Sequence, residues 1–234
     1  GLFLPSVLKT KRIAVGRDCR ESSPEAFKYL VRGLCDAGAN VFDLGLATTP
    51  MVYYATSKHH FDGSVQITAS HNGAEYNGLK VSGREAMPIG YDNGLKELED
   101  CVLHKVPVIT EKRGTVTQLD LRDEYFSYLS AFVPHLKGLR VGIDVSNGMA
   151  GLFVKKLLGT ENVFYINEEP DGRFPNHAPN PLVPENIKQL QELVRNRQCD
   201  LGIIFDGDAD RVMFTDEKGM FISPDLIIAL LGHH

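Results

Sequence analysis

A hydroxyl and an imidazole stand side by side in Ile67-Thr68-Ala69-Ser70-His71-Asn72-Gly73, and far downstream the chain reads Asp206-Gly207-Asp208-Ala209-Asp210-Arg211. A serine on a glycine-containing turn can carry a phosphoryl group. Carboxylates at alternate positions, separated by small residues, can converge on the hard divalent cation that phosphoryl transfer requires. Each motif has a plainer reading: an Asn-Gly turn joining two strands, or a solvated acidic turn. The acidic run also imitates a calcium loop, with Glu217 at its twelfth position. Its sixth position is Arg211 where such a loop needs glycine, and Val212-Met213-Phe214 reads as a strand, not a helix. Three carboxylates crowded together need compensation, which a Mg²⁺ ion would supply and to which Arg211 would add a fixed cation.

Lys80 follows the serine by ten residues on a strand leaving the turn. It is either an ordinary surface lysine or, if desolvated, a proton-transfer group on the serine's face. Ser-His adjacency invites a hydrolase reading, but neighbours in an extended segment point apart and no G-x-S-x-G elbow surrounds Ser70. Arg17 and Arg20, in Gly16-Arg17-Asp18-Cys19-Arg20, are placed either to meet phosphate or to form an Arg-Asp network. Ser146-Asn147-Gly148 precedes a helix but is too short to indicate an anion site, and is read as structural.

The elements that must position these groups alternate. Residues 12–16 read as a strand, and a helix follows with Ser22 or Ser23 as its cap, Pro24 in its first turn, Phe27, Leu30, Val31 and Leu34 on one face, and Gly38 as its stop. Strands over 41–44, 64–68 and 78–82 and a helix over 50–58 complete a first α/β half. A polar stretch over 112–117 marks the boundary, and a helix over 121–132 ends before Pro134. The pattern then restarts: strands over 139–144, 163–166 and 201–205, helices over 148–158 and 184–197. The expected fold is two tandem three-layer α/β/α domains with mixed sheets, residues 1–118 and 119–226, with 227–234 beginning something further. The Pro-rich run from Phe174 to Pro181 reads as an ordered loop.

Composition narrows the partners. The formal charge of −5 without a long basic run argues against nucleic acid and permits a small anionic ligand. Cys19, Cys35, Cys101 and Cys199 lie far apart, which suggests neither zinc nor a disulfide framework and fits a reducing cytoplasm. No apolar run approaches membrane-spanning length, and the basic cluster at Lys9, Lys11 and Arg12 follows the apolar opening, the reverse of a signal peptide.

Taken together, G-R-D-x-R near the start, the Thr48-Thr49-Pro50 turn, T-A-S-H-N with Asn77-Gly78-x-Lys80, and D-G-D-A-D-R resemble the alpha-D-phosphohexomutases. Pro88-Ile89-Gly90 and the run Phe174 to Leu182 look more like the phosphomannomutases of bacteria than the phosphoglucosamine mutases. The resemblance implies an enzyme that interconverts hexose 6-phosphate and hexose 1-phosphate through a phosphoserine and a hexose bisphosphate. Mannose phosphate is the preferred substrate and glucose phosphate stands close behind. By the same resemblance, Ser70 is the phosphorylated donor and completes the shell of a Mg²⁺ ion held by Asp206, Asp208 and Asp210. Lys80 is then the general acid/base, and His71 and Arg211 support the phosphoserine. Gly73 stands where the family usually has proline, which loosens the turn without removing a reacting group. Family members have four domains and this chain resembles the first two, so the expectation is a piece that folds and binds metal with little turnover. The alternatives are a non-catalytic metal-binding α/β module and a phosphoglucosamine mutase.

Overall fold

The structure, a computed structural model, describes residues 1–133 and 135–233. It divides into two compact units, one of residues 1–69 and 77–125, the other of residues 70–76 together with those from 126 onward.

The first unit runs α1 (Leu4–Leu8), β1 (Arg12–Arg17), α2 (Ser23–Asp36), β2 (Asn40–Leu46), α3 (Thr49–Lys58), β3 (Gly63–Ile67), β4 (Leu79–Gly83), α4 (Lys96–His104) and β5 (Val116–Gln118). Its sheet has the order β4-β3-β1-β2-β5, with β4 antiparallel to β3 and the other neighbours parallel. Ile13, Ala14 and Val15 of β1 are buried, as continuous apolar runs in a covered parallel strand should be. Leu30, Val31 and Leu34 of α2 share a core cluster with Ile13 and Val15. That helix starts beside Pro24 and is followed by Gly38 at φ 85°, the left-handed stop that glycine permits. Thr48 caps α3 by accepting the Met51 amide at 3.1 Å. All of β3 is buried, polar residues included, and Gln66 donates to the Ala47 carbonyl at 2.8 Å. Chain order reverses at β1, between β2 and β3, so the loops leaving β1 and β3 open at the crevice where α/β sheets hold ligands.

The second unit contains β6 (Val141–Asp144), α6 (Val154–Leu158), β7 (Val163–Ile166), α7 (Lys188–Arg197), β8 (Leu201–Phe205), β9 (Val212–Thr215), β10 (Phe221–Ile222) and α8 (Pro224–His233). The order is β10-β9-β8-β6-β7, parallel across β8, β6 and β7 and antiparallel beyond. Val141, Ile143, Val145, Ala150, Val154 and Val163 make one buried cluster, and Ile187, Leu190, Val194, Cys199 and Ile204 another. Here the reversal falls at β6, between β7 and β8, so the turns after β6 and β8 are neighbours. Helix α5 (Arg122–Ser130) carries the chain from the first unit into the second.

Two tandem α/β domains with mixed sheets are therefore present, as the alternation implied. Local departures have physical reasons. The polar stretch over 112–117 leads into β5, a fully exposed edge strand paired with β2 (Val41 with Val116), so its polarity reflects an edge and not a linker. Helix α4 was not expected, because Cys101 is its only buried residue. The helix expected over 148–158 opens with a 3₁₀ turn at Met149–Leu152 before α6, and Pro184–Ile187 likewise precedes α7. Pro134, invoked as a helix stop, and His234, at the end of the expected last segment, lie outside the described residues.

Candidate active site

Ser70 lies just beyond β3, 6% exposed, with its backbone in the left-handed region at φ 53°. That conformation is uncommon for a residue with a side chain, and non-glycine residues held there cluster at functional sites. From it the Ser70 hydroxyl donates to Asp206 Oδ2 at 2.9 Å, a contact spanning 136 residues of sequence. The acidic loop is the hairpin connection between β8 and β9. Asp206 and Asp208 are fully buried and Asp210 is exposed, yet one oxygen from each lies within 4.8 Å of the others. The loop is tied by its own backbone: the Arg211 amide donates to Asp206 Oδ1 at 3.1 Å and the Ala209 amide to the Asp206 carbonyl at 3.3 Å, with Ala209 at φ 63°.

The electrostatics of this cluster are unfavourable without a cation. Burial, and next the repulsion of Asp208 and Asp210, push Asp206 up to about 8, and the Ser70 hydroxyl only partly opposes them. An all-oxygen donor set of this kind suits a hard divalent ion and not a thiophilic one. The residues present therefore fit a metal ion: Asp206, Asp208 and Asp210 offer ligand atoms, and Ser70 Oγ already touches the same carboxylate group.

Among the other residues singled out by sequence, Arg211 lends the loop its amide and keeps its Nε 3.9 Å from Asp210. His71, half-buried, follows Ser70 in the turn. Lys80 is half-buried in β4, where its register partner is Gln66 of β3. It belongs to the first unit, whereas the Ser70 turn packs with the second. Arg20 and Asp18 form the Arg-Asp network, both buried, with Nε to Oδ2 at 2.9 Å and Ser23 donating to Asp18 at 2.7 Å. Arg17 instead pairs with Asp43 at 2.9 Å and lies over the Phe27 ring at 4.4 Å.

Sequence reasoning missed the surroundings of the acidic loop. Ser146 and Asn147 take consecutive left-handed conformations (φ 55° and 51°) at the end of β6, and the Met149 amide donates to the Gly207 carbonyl at 2.9 Å. His177, in the Pro-rich loop, bonds Asp144 through Nε2 at 3.0 Å and the Ala178 carbonyl through Nδ1 at 2.9 Å. Both partners are acceptors, so the imidazolium satisfies both. Burial opposes that charge, but the Asp144 carboxylate outweighs it and holds His177 above the ordinary histidine range. The only signals in the sequence were the asparagines and glycine of 146–148 and the aromatic and histidine punctuation of 174–181.

Residues 2–106 match the family described as phosphoglucomutase/phosphomannomutase, alpha/beta/alpha domain I, and residues 123–219 match its alpha/beta/alpha domain II. A phosphomannomutase of Escherichia coli K12 is 39% identical over 236 aligned residues, covering 96% of this chain and 52% of that protein. A phosphoglucomutase of Neisseria gonorrhoeae is 38% identical over 228 residues, covering 94% and 48%. The crystal structure of a phosphoglucomutase/phosphomannomutase family protein from Burkholderia thailandensis superposes with a TM-score of 0.84 at 31% identity, covering 94% of this chain and 50% of that one. The chain thus spans about half the length of the curated relatives it matches. Two consecutive family domains, carried on the two sheets that end in the serine turn and the acidic loop, establish that this chain belongs to the alpha-D-phosphohexomutase family of phosphoglucomutases and phosphomannomutases.

Proposed function

We propose that this chain forms the phosphoryl-transfer half of a mutase that interconverts hexose 6-phosphate and hexose 1-phosphate, with mannose phosphate preferred and glucose phosphate second. The observation that carries the reading is the Ser70 hydroxyl set on a buried carboxylate of the acidic loop, 2.9 Å from Asp206. In this reading Ser70 holds the phosphoryl group between turnovers. An oxygen of the bound sugar attacks phosphorus, the bond from phosphorus to Oγ breaks, and Oγ keeps the electron pair and regains a proton as the hydroxyl. The attacking hydroxyl gives its proton to Lys80, half-buried in β4, which passes it on to Oγ. The bisphosphate then returns its other phosphate to Ser70.

Asp206, Asp208 and Asp210 would hold a Mg²⁺ ion, which when bound supplies charge stabilisation to the transferring group. The left-handed backbone at Ser70 aims the hydroxyl at this cluster before substrate arrives, so little ordering remains to be done at the moment of transfer. His71 and Arg211 brace the serine turn and the loop. Because the matched relatives are about twice as long, the isolated chain is expected to accept phosphate on Ser70 but to turn over hexose phosphates near background.

Intact-mass measurement after incubation with Mg²⁺ and mannose 1,6-bisphosphate tests the reading. One phosphate gained by the wild type, and none by Ser70→Ala, is the expected result. A chain that binds Mg²⁺ but stays unmodified with both mannose and glucose bisphosphates would instead be a non-catalytic metal-binding module.

A further inference from the structure

The acidic loop does not stand alone. Its Gly207 is enclosed on three sides by parts of the second unit. A methyl group at Gly207 would lie 2.6 Å from the Ser70 carbonyl oxygen and 3.3 Å from the Pro179 ring. From the third side comes the Ser146-Asn147-Gly148 turn. A methyl group at Gly148 would lie 2.9 Å from the Gly207 carbonyl oxygen, 3.0 Å from the Asp206 carbonyl oxygen and 3.1 Å from Gly207 Cα. All three are main-chain atoms, so no side chain can swing away to make room. The approach is drawn tight by two hydrogen bonds that flank Gly148: Ser146 Oγ donates to the Phe205 carbonyl at 2.6 Å, and the Met149 amide to the Gly207 carbonyl at 2.9 Å.

The turn is itself immobilised. Asp144 Oδ1 accepts the Ser146 amide at 2.8 Å, Asn147 Nδ2 donates to the Glu169 carbonyl at 2.9 Å, and Asn176 Nδ2 donates to Asn147 Oδ1 at 2.8 Å. These contacts converge on the main chain of residues 205–207 or on the turn that touches it, and the main chain between Asp206 and Asp208 has little freedom to shift.

Rigidity of this kind discriminates between ions. Mg²⁺ demands near-ideal octahedral geometry at short distances, whereas Ca²⁺ tolerates more ligands, longer bonds and looser angles. A brace that fixes the spacing of two carboxylates penalises the ion that needs a wider, adaptable shell.

We propose that Gly148 and Ser146 are positioning residues for the acidic loop and that their grip on its main chain makes the site select Mg²⁺ over Ca²⁺. The inference rests on the reading of Asp206, Asp208 and Asp210 as metal ligands. Neither residue ligates the ion, and their effect is carried entirely through the main chain of residues 205–207.

The test is calorimetric titration of the whole chain with Mg²⁺ alone and with Ca²⁺ alone, for the wild type, Gly148→Ala and Ser146→Ala. In Gly148→Ala, Mg²⁺ affinity is expected to fall roughly 10–100-fold, as for other residues that orient metal ligands. Ca²⁺ affinity is expected to fall less than about threefold, since its shell adapts to the displaced loop. Ser146→Ala adds no volume and removes one hydrogen bond, so it should shift the ratio in the same direction by a smaller factor. It carries the test by itself if circular dichroism finds Gly148→Ala unfolded. Equal losses of both ions, or unchanged affinities in a folded variant, overturn the selectivity role while leaving the metal site standing. A wild type that binds neither ion removes the metal reading and this inference together.

Discussion

At the scale of the residue, the candidate site centres on a carboxylate that is costly to bury. Asp206 has no exposure and is pushed up to about 8 by desolvation and by its two acidic neighbours. Asp208→Asn removes one repelling charge, so the metal-free protein should gain roughly 1–2 kcal/mol near pH 8, while Mg²⁺ affinity falls. Denaturant unfolding and calorimetry read the two effects separately, and a variant that loses stability without metal contradicts the electrostatic account. Lys80 has a different signature. Lys80→Ala should slow phosphate transfer from a hexose bisphosphate to Ser70 by about 10²-fold, the usual scale of general acid/base catalysis. The bisphosphate concentration giving half-maximal rate should hold constant, and a change confined to that concentration would make Lys80 a binding residue. At this scale the sequence singled out Ser70 and the three aspartates by spacing, and the fold brings them together. The left-handed backbone of Ser70 was not legible there, and neither was the hydroxyl's partner, which lies 136 residues away.

At the scale of the element, the fold was legible where burial is continuous and illegible where it is not. Strands β1, β3, β6 and β8 carry unbroken or alternating buried residues and fall within two residues of their expected bounds. Strand β5 is fully exposed, and helix α4 buries only Cys101 with Leu98 packed partly against the first core, so neither carries a long apolar pattern. The Pro-rich loop is a third case, held by polar side chains that no hydrophobic pattern can reveal. Its anchor is His177 on Asp144, with side chains 7% and 0% exposed. Because the folded state raises the histidine above its ordinary value of 6.5, the stabilisation is complete below that pH and is lost as pH rises through the folded value. Relative to His177→Ala, the wild type should be more stable by about 2–4 kcal/mol below pH 6.5, and the gap should narrow at alkaline pH. Urea unfolding of both proteins across that range checks the sign. A gap that widens with pH contradicts a charged histidine.

At the scale of the whole molecule, each unit has its own sheet and its own buried clusters, and each sheet reverses chain order beside the loop that matters. The family relationship was readable because four short motifs are distributed over both units, and a chain carrying only one unit would have left it open. Within the second unit the three aspartates and Ser70 reach the same place by unlike routes. The aspartates sit on a hairpin whose strands pair from Gly202 with Thr215 to Phe205 with Val212. That hairpin closes locally, whereas Ser70 must be delivered from a remote point in the sequence, and local closure is fast compared with long-range docking. Assembly should therefore be stepwise in time, with chelation ahead of the serine contact. In stopped-flow refolding, a metal-sensitive dye should report Mg²⁺ capture in an early phase whose rate is the same for wild type and Ser70→Ala. Simultaneous capture and final compaction would mean that the serine is needed to build the site and does not merely arrive at it.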